Sequence, residues 1–245
     1  MANGTGKGFV RIFRTKAFKF SLAIGLLITS ILIILAMLLG NESGNFVVKV
    51  ESGDAAKSIA ITDSMEDRVY TNKLVVPGML GMTNSTPRWF LEGDTSAQQH
   101  VGIKTITEEL GEHSNEEYYS YTFLIVNTSN AALTVKLHMA YSNVTNYVDQ
   151  AVRVMTYDDD SEAIHIYQLA DENIKEYAYY PATPQYFGNQ GTVYDEYATI
   201  PGTTDPENPE YFKYSVFFWL EGQDDDCVEK IYNGTIKFAL TCSVE

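Results

Sequence analysis

Hydrophobic positions follow two different patterns along this chain. From Phe20 to Leu39 they run unbroken as FSLAIGLLITSILIILAMLL, with no charged residue and only Ser21, Thr29 and Ser30 as hydroxyl interruptions. As a helix rising about 1.5 Å per residue, this run would cross about 30 Å, the thickness of a bilayer's hydrocarbon core. From Phe46 onward the apolar residues come in short runs rich in valine, isoleucine, tyrosine, phenylalanine and threonine, the composition of strands. The clearest are Phe46–Val50, Tyr118–Asn127, Leu133–Tyr141, Ala151–Tyr157, Ala163–Leu169, Lys213–Leu220 and Thr235–Val244. No stretch of comparable length has the spacing of an amphipathic helix.

Alternation within these runs predicts how they pack. Tyr119, Tyr121, Phe123 and Ile125 alternate with smaller or polar neighbours, as do Leu133, Val135, Leu137 and Met139, so both faces seek a common core. The polar link Asn127–Asn130 predicts a hairpin between them. Seven such runs separated by turn signals predict an all-β domain over 46–245, an antiparallel two-sheet sandwich of jelly-roll or Ig-like type. Two stretches break the rhythm. Met65–Gln99 and Tyr177–Asn208 are dense in proline and glycine and are expected to be long loops, with short edge strands as the alternative.

Charge sets the orientation. The first 19 residues hold Lys7, Arg11, Arg14, Lys16 and Lys19 and no acid, whereas the remainder has 12 basic against 32 acidic residues, a net charge of -20. Positive charge before an apolar run keeps that end in the cytoplasm. The expectation is therefore a basic cytoplasmic tail (1–19), a single transmembrane helix (20–39), a polar linker (40–45) and an extracytoplasmic domain. The apolar run is longer than a signal peptide's usual core of about 7–15 residues and lacks a good small-x-small site, which favours an uncleaved anchor. An acidic domain repels polyanions, so nucleic acid is not expected as a partner; cations and basic surfaces fit better.

The chemistry-bearing residues are sparse. His100, His113, His138 and His165 are scattered outside any zinc-protease pattern. Nucleophile elbow, P-loop and dinucleotide fingerprint are all missing from the sequence, so no cofactor and no enzyme are expected. Calcium is the one ion the acid runs leave open, through Asp158 and Asp160 with Glu162, or Asp224 and Asp226 with Glu221, although aspartate also favours turns for backbone reasons. Tyrosines crowd the second loop; Tyr179, Tyr180, Tyr186 and Tyr194 are candidates for contact with sugar or peptide, or for packing back on the sheet. Outside the cytoplasm Cys227 and Cys242 can oxidise, closing a loop worth about 3 kcal/mol, with two buried thiols as the alternative. Asn41, Asn84, Asn127, Asn143 and Asn233 each open a glycosylation sequon, meaningful only in a eukaryotic secretory pathway.

Several segments carry a resemblance: Gly44–Val50 after the apolar run, Tyr121–Phe123 ending at Asn127, Asp149–Val154, Phe218–Gly222 with Asp224–Cys227, and Asn233–Lys237. In these the chain resembles the N-terminally anchored extracytoplasmic proteins of Gram-positive, Firmicutes-type bacteria, a family without an assigned activity. Through them it is distantly similar to the camelysin and TasA group, β-sandwich proteins of the cell surface and biofilm matrix. The Ala-Tyr-Phe-Thr segment which that group bears near its processed N-terminus is missing from the sequence, so signal cleavage and fibre assembly do not carry over. Camelysin's attributed peptidase activity brings no motif, and no catalytic residue is transferred. The resemblance and the residues together predict a membrane-anchored module at the cell surface that binds a protein or glycan partner or assembles with itself. The alternatives are a calcium-assisted carbohydrate or peptide binder and a hydrolase using carboxylates.

Overall fold

A computed structural model describes residues 46–51, 53, 59–66, 69–78, 81–87, 102–170, 180–205 and 207–245. The expected tail, transmembrane helix and linker lie outside the described residues, as do His100 and Tyr179. None of the described helices is long and apolar enough to cross a membrane.

Thirteen strands, two one-turn α-helices and a 3-10 turn at Glu229–Ile231 make up the described domain. In chain order they are β1 (Phe46–Val50), β2 (Ile59–Thr62), β3 (Lys73–Val76), β4 (Asn84–Ser85), α1 (Ile103–Ile106), β5 (Gly111–Glu112), β6 (Tyr119–Asn127), β7 (Leu133–Ser142), α2 (Val148–Ala151), β8 (Val152–Asp158), β9 (Ile164–Gln168), β10 (Pro184–Tyr186), β11 (Thr192–Ile200), β12 (Glu210–Glu221) and β13 (Lys237–Val244). One sheet has the order β11-β7-β13-β1-β3; the other runs β10-β9-β8-β12-β6-β2, with β4 beside β12 and β5 beside β6. The two sheets pack face to face. Phe218 of β12 meets Phe46 of β1 at 5.3 Å and Phe238 of β13 at 4.4 Å between ring centroids, and Phe123, Ile125, Val135, Leu137, Val216 and Leu240 fill the layer between. Each fully buried side chain of this size contributes about 1.5–3 kcal/mol.

All seven strands expected from alternation form, within a few residues of their expected ends. Three features differ from expectation. The sheets are mixed rather than wholly antiparallel, because β1 runs parallel to β13, β10 to β9 and β4 to β12. The link after Asn127 is no hairpin: β6 and β7 belong to different sheets. Asn127, fully buried, builds this arch by donating from Nδ2 to the carbonyls of Ala131 at 2.7 Å and Pro201 at 2.8 Å, while its Oδ1 accepts from the Ser129 amide. Gly202 crosses so near that a Cβ would lie 2.4 Å from the Asn130 carbonyl. Finally, the stretch after Tyr177, expected as a loop with at most short edge strands, contains β11, an edge strand of nine residues, whereas Met65–Gln99 contains only the short β3 and β4 among its described residues.

The eight-stranded sheet is buried on both faces, which explains why every residue of β6 is buried. On its outer side Ile106 of α1 joins Tyr118, Met155, Tyr157, Ile166, Phe217 and Trp219 in a second core. The five-stranded sheet has no such cover among the described residues, and its outward positions mix polar and small residues with Val47, Val75 and Tyr197.

Candidate functional site

Two clusters gather several donors around carboxylates within the fold, apart from half-buried Asp63, which accepts from the Tyr121 hydroxyl. The first lies at the end of β12, where Trp219 and Glu221 are fully buried on the outer side of the eight-stranded sheet. Glu221 Oε2 accepts from the Tyr180 hydroxyl at 2.6 Å and from Trp219 Nε1 at 3.0 Å, and Oε1 accepts from the Gln223 amide at 3.1 Å. Across the ladder from Trp219 stands Arg153, also buried. Its guanidinium donates to the Asp224 carboxylate and, from Nη1, to the carbonyls of Gln150 and Val152 at 3.1 Å. Burial opposes the Arg153 charge, but Tyr180, Asp224 and Glu221 outweigh it and raise its pKa; burial first, then Glu221, push the Tyr180 phenol far above its ordinary range. The result is a fixed ion pair beside a phenol held neutral. That arrangement suits holding a turn rather than moving a proton near neutral pH.

The second place lies between the sheets. Glu196 of β11 points inward and gathers hydroxyls from three strands of the opposite sheet. Its Oε1 accepts from Tyr167 at 2.6 Å and Thr156 at 3.0 Å, and Oε2 accepts from Tyr214 at 2.5 Å. Tyr194 completes the cluster, 3.0 Å from the Tyr214 hydroxyl and stacked on Tyr167 at 4.7 Å. Burial is the leading cause of the strongly raised pKa of all three tyrosines.

The sequence candidates separate accordingly. Tyr180 belongs to the Glu221 cluster and Tyr194 to the Glu196 cluster; Tyr186 on β10 is 39% exposed. Asp158 caps its own turn, accepting from the amides of Asp160 at 2.9 Å and Ser161 at 3.3 Å, and Asp160 is exposed. Asp224 holds Arg153 and accepts from the Asp226 amide, while Asp226 pairs with Lys230 at 2.6 Å. The two aspartate runs sit at opposite ends of the β8–β12 ladder, since Asp158 pairs with Tyr214 and Val152 with Leu220. Among the described residues no three histidine, cysteine, aspartate or glutamate side chains gather as a metal-holding group.

The expected disulfide is corrected: Cys227 and Cys242 are free thiols. Cys242 faces the core from the middle of β13, opposite Val50 and Leu137, whereas Cys227 follows Glu221 in the turn on the far side of the eight-stranded sheet. Stacked sheets stand about 10 Å apart, beyond the roughly 7 Å Cα separation a disulfide spans. Burial raises the Cys242 thiol to about 12 and also raises Cys227, against a hydrogen bond from Asn84.

Sequence reasoning missed a shallow cleft of about 150 Å³ at the β2 edge, lined by Ser64, Met65, Tyr70, Leu124, Val126 and Tyr211 among others. Met65 is 55% exposed, and Tyr70 and Tyr211 stand beside it partly in solvent. Met65 and Tyr70 fall in an expected loop, and only the fold brings Tyr211 to them. No family model, curated protein or solved structure matches the chain.

Proposed function

We propose that this chain is a membrane-attached, extracytoplasmic β-sandwich module that acts by contact, as a structural or binding element of the cell surface, and not by catalysis. The observation that carries the reading is where the polar and apolar groups go. Glu196, Glu221, Asp224 and Asp63 are each engaged by hydroxyl, amide, indole or guanidinium donors of the fold itself, whereas Met65, Tyr70 and Tyr211 stand at the surface around a cleft. Buried carboxylates so engaged are structural, and exposed aromatic groups are the usual anchors of protein contacts.

Location rests on the apolar run Phe20–Leu39 and the five basic residues before it. Strand order favours the jelly-roll alternative over the Ig-like one: β1, β13, β7 and β11 form one layer and β6, β12, β8 and β9 the other, with the chain passing between layers as two Greek keys do. The parallel pairing of β1 departs from that scheme. Protease added to intact cells producing the full chain should digest the domain after Asn45 and spare the N-terminal tail. Digestion of the tail alone would invert the orientation, and an intact domain in cells that admit no protease would place it inside.

A further inference from the structure

The two most exposed tyrosines among the described residues, Tyr147 and Tyr232, stand 66% and 68% in solvent on adjoining turns. Tyr147 ends the loop between β7 and α2, and Tyr232 follows the 3-10 turn Glu229–Ile231. Asn146 joins the two by donating from Nδ2 to the Tyr232 carbonyl at 2.7 Å. A second tie runs between the threonines: the Thr145 amide donates to the Thr235 carbonyl at 2.9 Å, the Thr235 amide donates to Thr145 Oγ1 at 2.8 Å, and the two hydroxyls lie 3.0 Å apart. Gly234 sits so close that a Cβ there would stand 2.7 Å from the Ile231 carbonyl and 2.8 Å from Val148 Cβ. The loops therefore form one fixed turn pair, at the end of the β7–β13 ladder where Ser142 pairs with Lys237.

Packing does not account for these side chains. Among the described residues neither ring stacks on another, and neither phenol is hydrogen-bonded. Tyr147 moreover has φ +56°, the left-handed region that a bulky side chain rarely adopts. Glycine or asparagine would hold that turn with less strain, and a ring two-thirds in solvent offsets little of it. Asn143 and Asn233 have left-handed backbones too, at +54° and +57°, and their exposed carboxamides have no partner among the described residues. Residues 142–148 and 231–236 hold no charged side chain, although the chain beyond residue 19 has a net charge of -20.

We infer that this turn pair is a carbohydrate-contact site for an uncharged pyranose oligosaccharide. The inference rests on the contact-module reading above but concerns a different surface, since none of these residues lines the cleft at the β2 edge. A pyranose with equatorial hydroxyls presents C–H bonds on both faces, and these lie favourably against the electron-rich face of a phenol ring. The Asn143 and Asn233 carboxamides each offer donors and an acceptor to neighbouring sugar hydroxyls. Aromatic surface with a few placed polar groups is what sugar recognition needs. Because the rings stand on separate turns without stacking on each other, they hold two sugar units of one chain rather than a single unit. Charge selects among glycans: a domain of net -20 repels chains of uronic acids or sulfated sugars. A protein partner would bury a wider apolar core, whereas amides and hydroxyls surround these two rings.

The test uses the full chain, produced in a bacterial host so that the sequons at Asn143 and Asn233 stay bare, and reconstituted in phosphatidylcholine vesicles. Equilibrium dialysis measures binding of cellohexaose, chitohexaose and a galacturonate hexamer. At least one of the two uncharged hexamers should bind saturably, and the galacturonate hexamer should not. Tyr147→Ala and Tyr232→Ala should each weaken binding by about tenfold or more, whereas Tyr147→Phe and Tyr232→Phe, which keep the ring, should stay within about threefold of wild type. Tyr147→Gly relieves the left-handed backbone, so it should lose binding with Tm unchanged or raised, which keeps the test decisive should an alanine variant unfold. No saturable binding of either uncharged hexamer, equal binding of the galacturonate hexamer, or alanine and glycine variants that bind as wild type does overturns the inference. So does Tyr147→p-benzoylphenylalanine that on irradiated cells captures material released by protease and not by glycoside hydrolase, which would make this a protein-contact surface. A chain that binds no hexamer while its domain is still digested from outside the cell would overturn this inference and leave the proposed function standing.

Discussion

Replacing Glu196 tests whether the cluster between the sheets is a structural knot. Its carboxylate accepts hydroxyl hydrogen bonds from Thr156, Tyr167 and Tyr214, which belong to three neighbouring strands of the opposite sheet. Hydrogen bonds to a charged group contribute about 1.5–3 kcal/mol each, and a buried hydroxyl left without its partner costs about 1–3 kcal/mol. Because Glu196 is only half-buried, water relieves part of that cost in Glu196→Ala. The expected loss is about 3 kcal/mol, or about 6–12 °C in Tm for a domain of this size. Glu196→Gln keeps one acceptor oxygen but turns a donor toward one set of hydroxyls, so it should lose about 1–2 kcal/mol. Urea unfolding of these variants, combined with Tyr214→Phe in a double-mutant cycle, isolates the Tyr214–Glu196 coupling. A loss below about 0.5 kcal/mol for Glu196→Ala, or no coupling with Tyr214→Phe, would refute the structural reading.

Arg153→Ala should destabilise by about 3–5 kcal/mol, because it strands the Asp224 carboxylate beside the buried Glu221; chemical denaturation measures this, and a change under about 1 kcal/mol would contradict the ion-pair geometry. A thiol reagent at pH 8 should label Cys227 alone in the folded domain and both cysteines in urea. The buried Cys242 thiol ionises only near 12 in the fold but near 9 when unfolded, so its contribution to stability is full below pH 9 and is lost as pH rises toward 12. Replacing Cys242 with Ala should shrink that alkaline loss; equal labelling of both thiols in the folded domain would contradict the burial.

Strands whose outward and inward residues differ in polarity were legible in the sequence, and so was the sandwich they build. β11 was not. It carries Glu196 at an inward position, and a register shift between Thr192 and Tyr194 breaks its alternation, so its tyrosines read as part of a loop, either exposed or packed back on the sheet. Sheet membership was equally hidden: Asn127–Asn130 has turn chemistry, but whether a turn folds back or arches across depends on Asn127 reaching the Pro201 carbonyl 74 positions away. The buried clusters join residues from Arg153 to Asp224 and from Thr156 to Tyr214. Such placements follow from register, which local pattern does not specify.

Pairing of β1 with β13 also constrains how the domain comes into being. Phe46 lies opposite Phe238, so neighbours in the middle of one sheet are separated by nearly the whole domain in sequence. During synthesis β1 emerges first, and the five-stranded sheet stays split, with β7 and β1 each lacking a shared neighbour, until β13 leaves the ribosome. Closure of so long a loop is intrinsically slow. The nascent chain must therefore wait, unclosed, for its last strand, and a truncation that removes Lys237–Val244 would leave two open edges in the sheet rather than a shortened one.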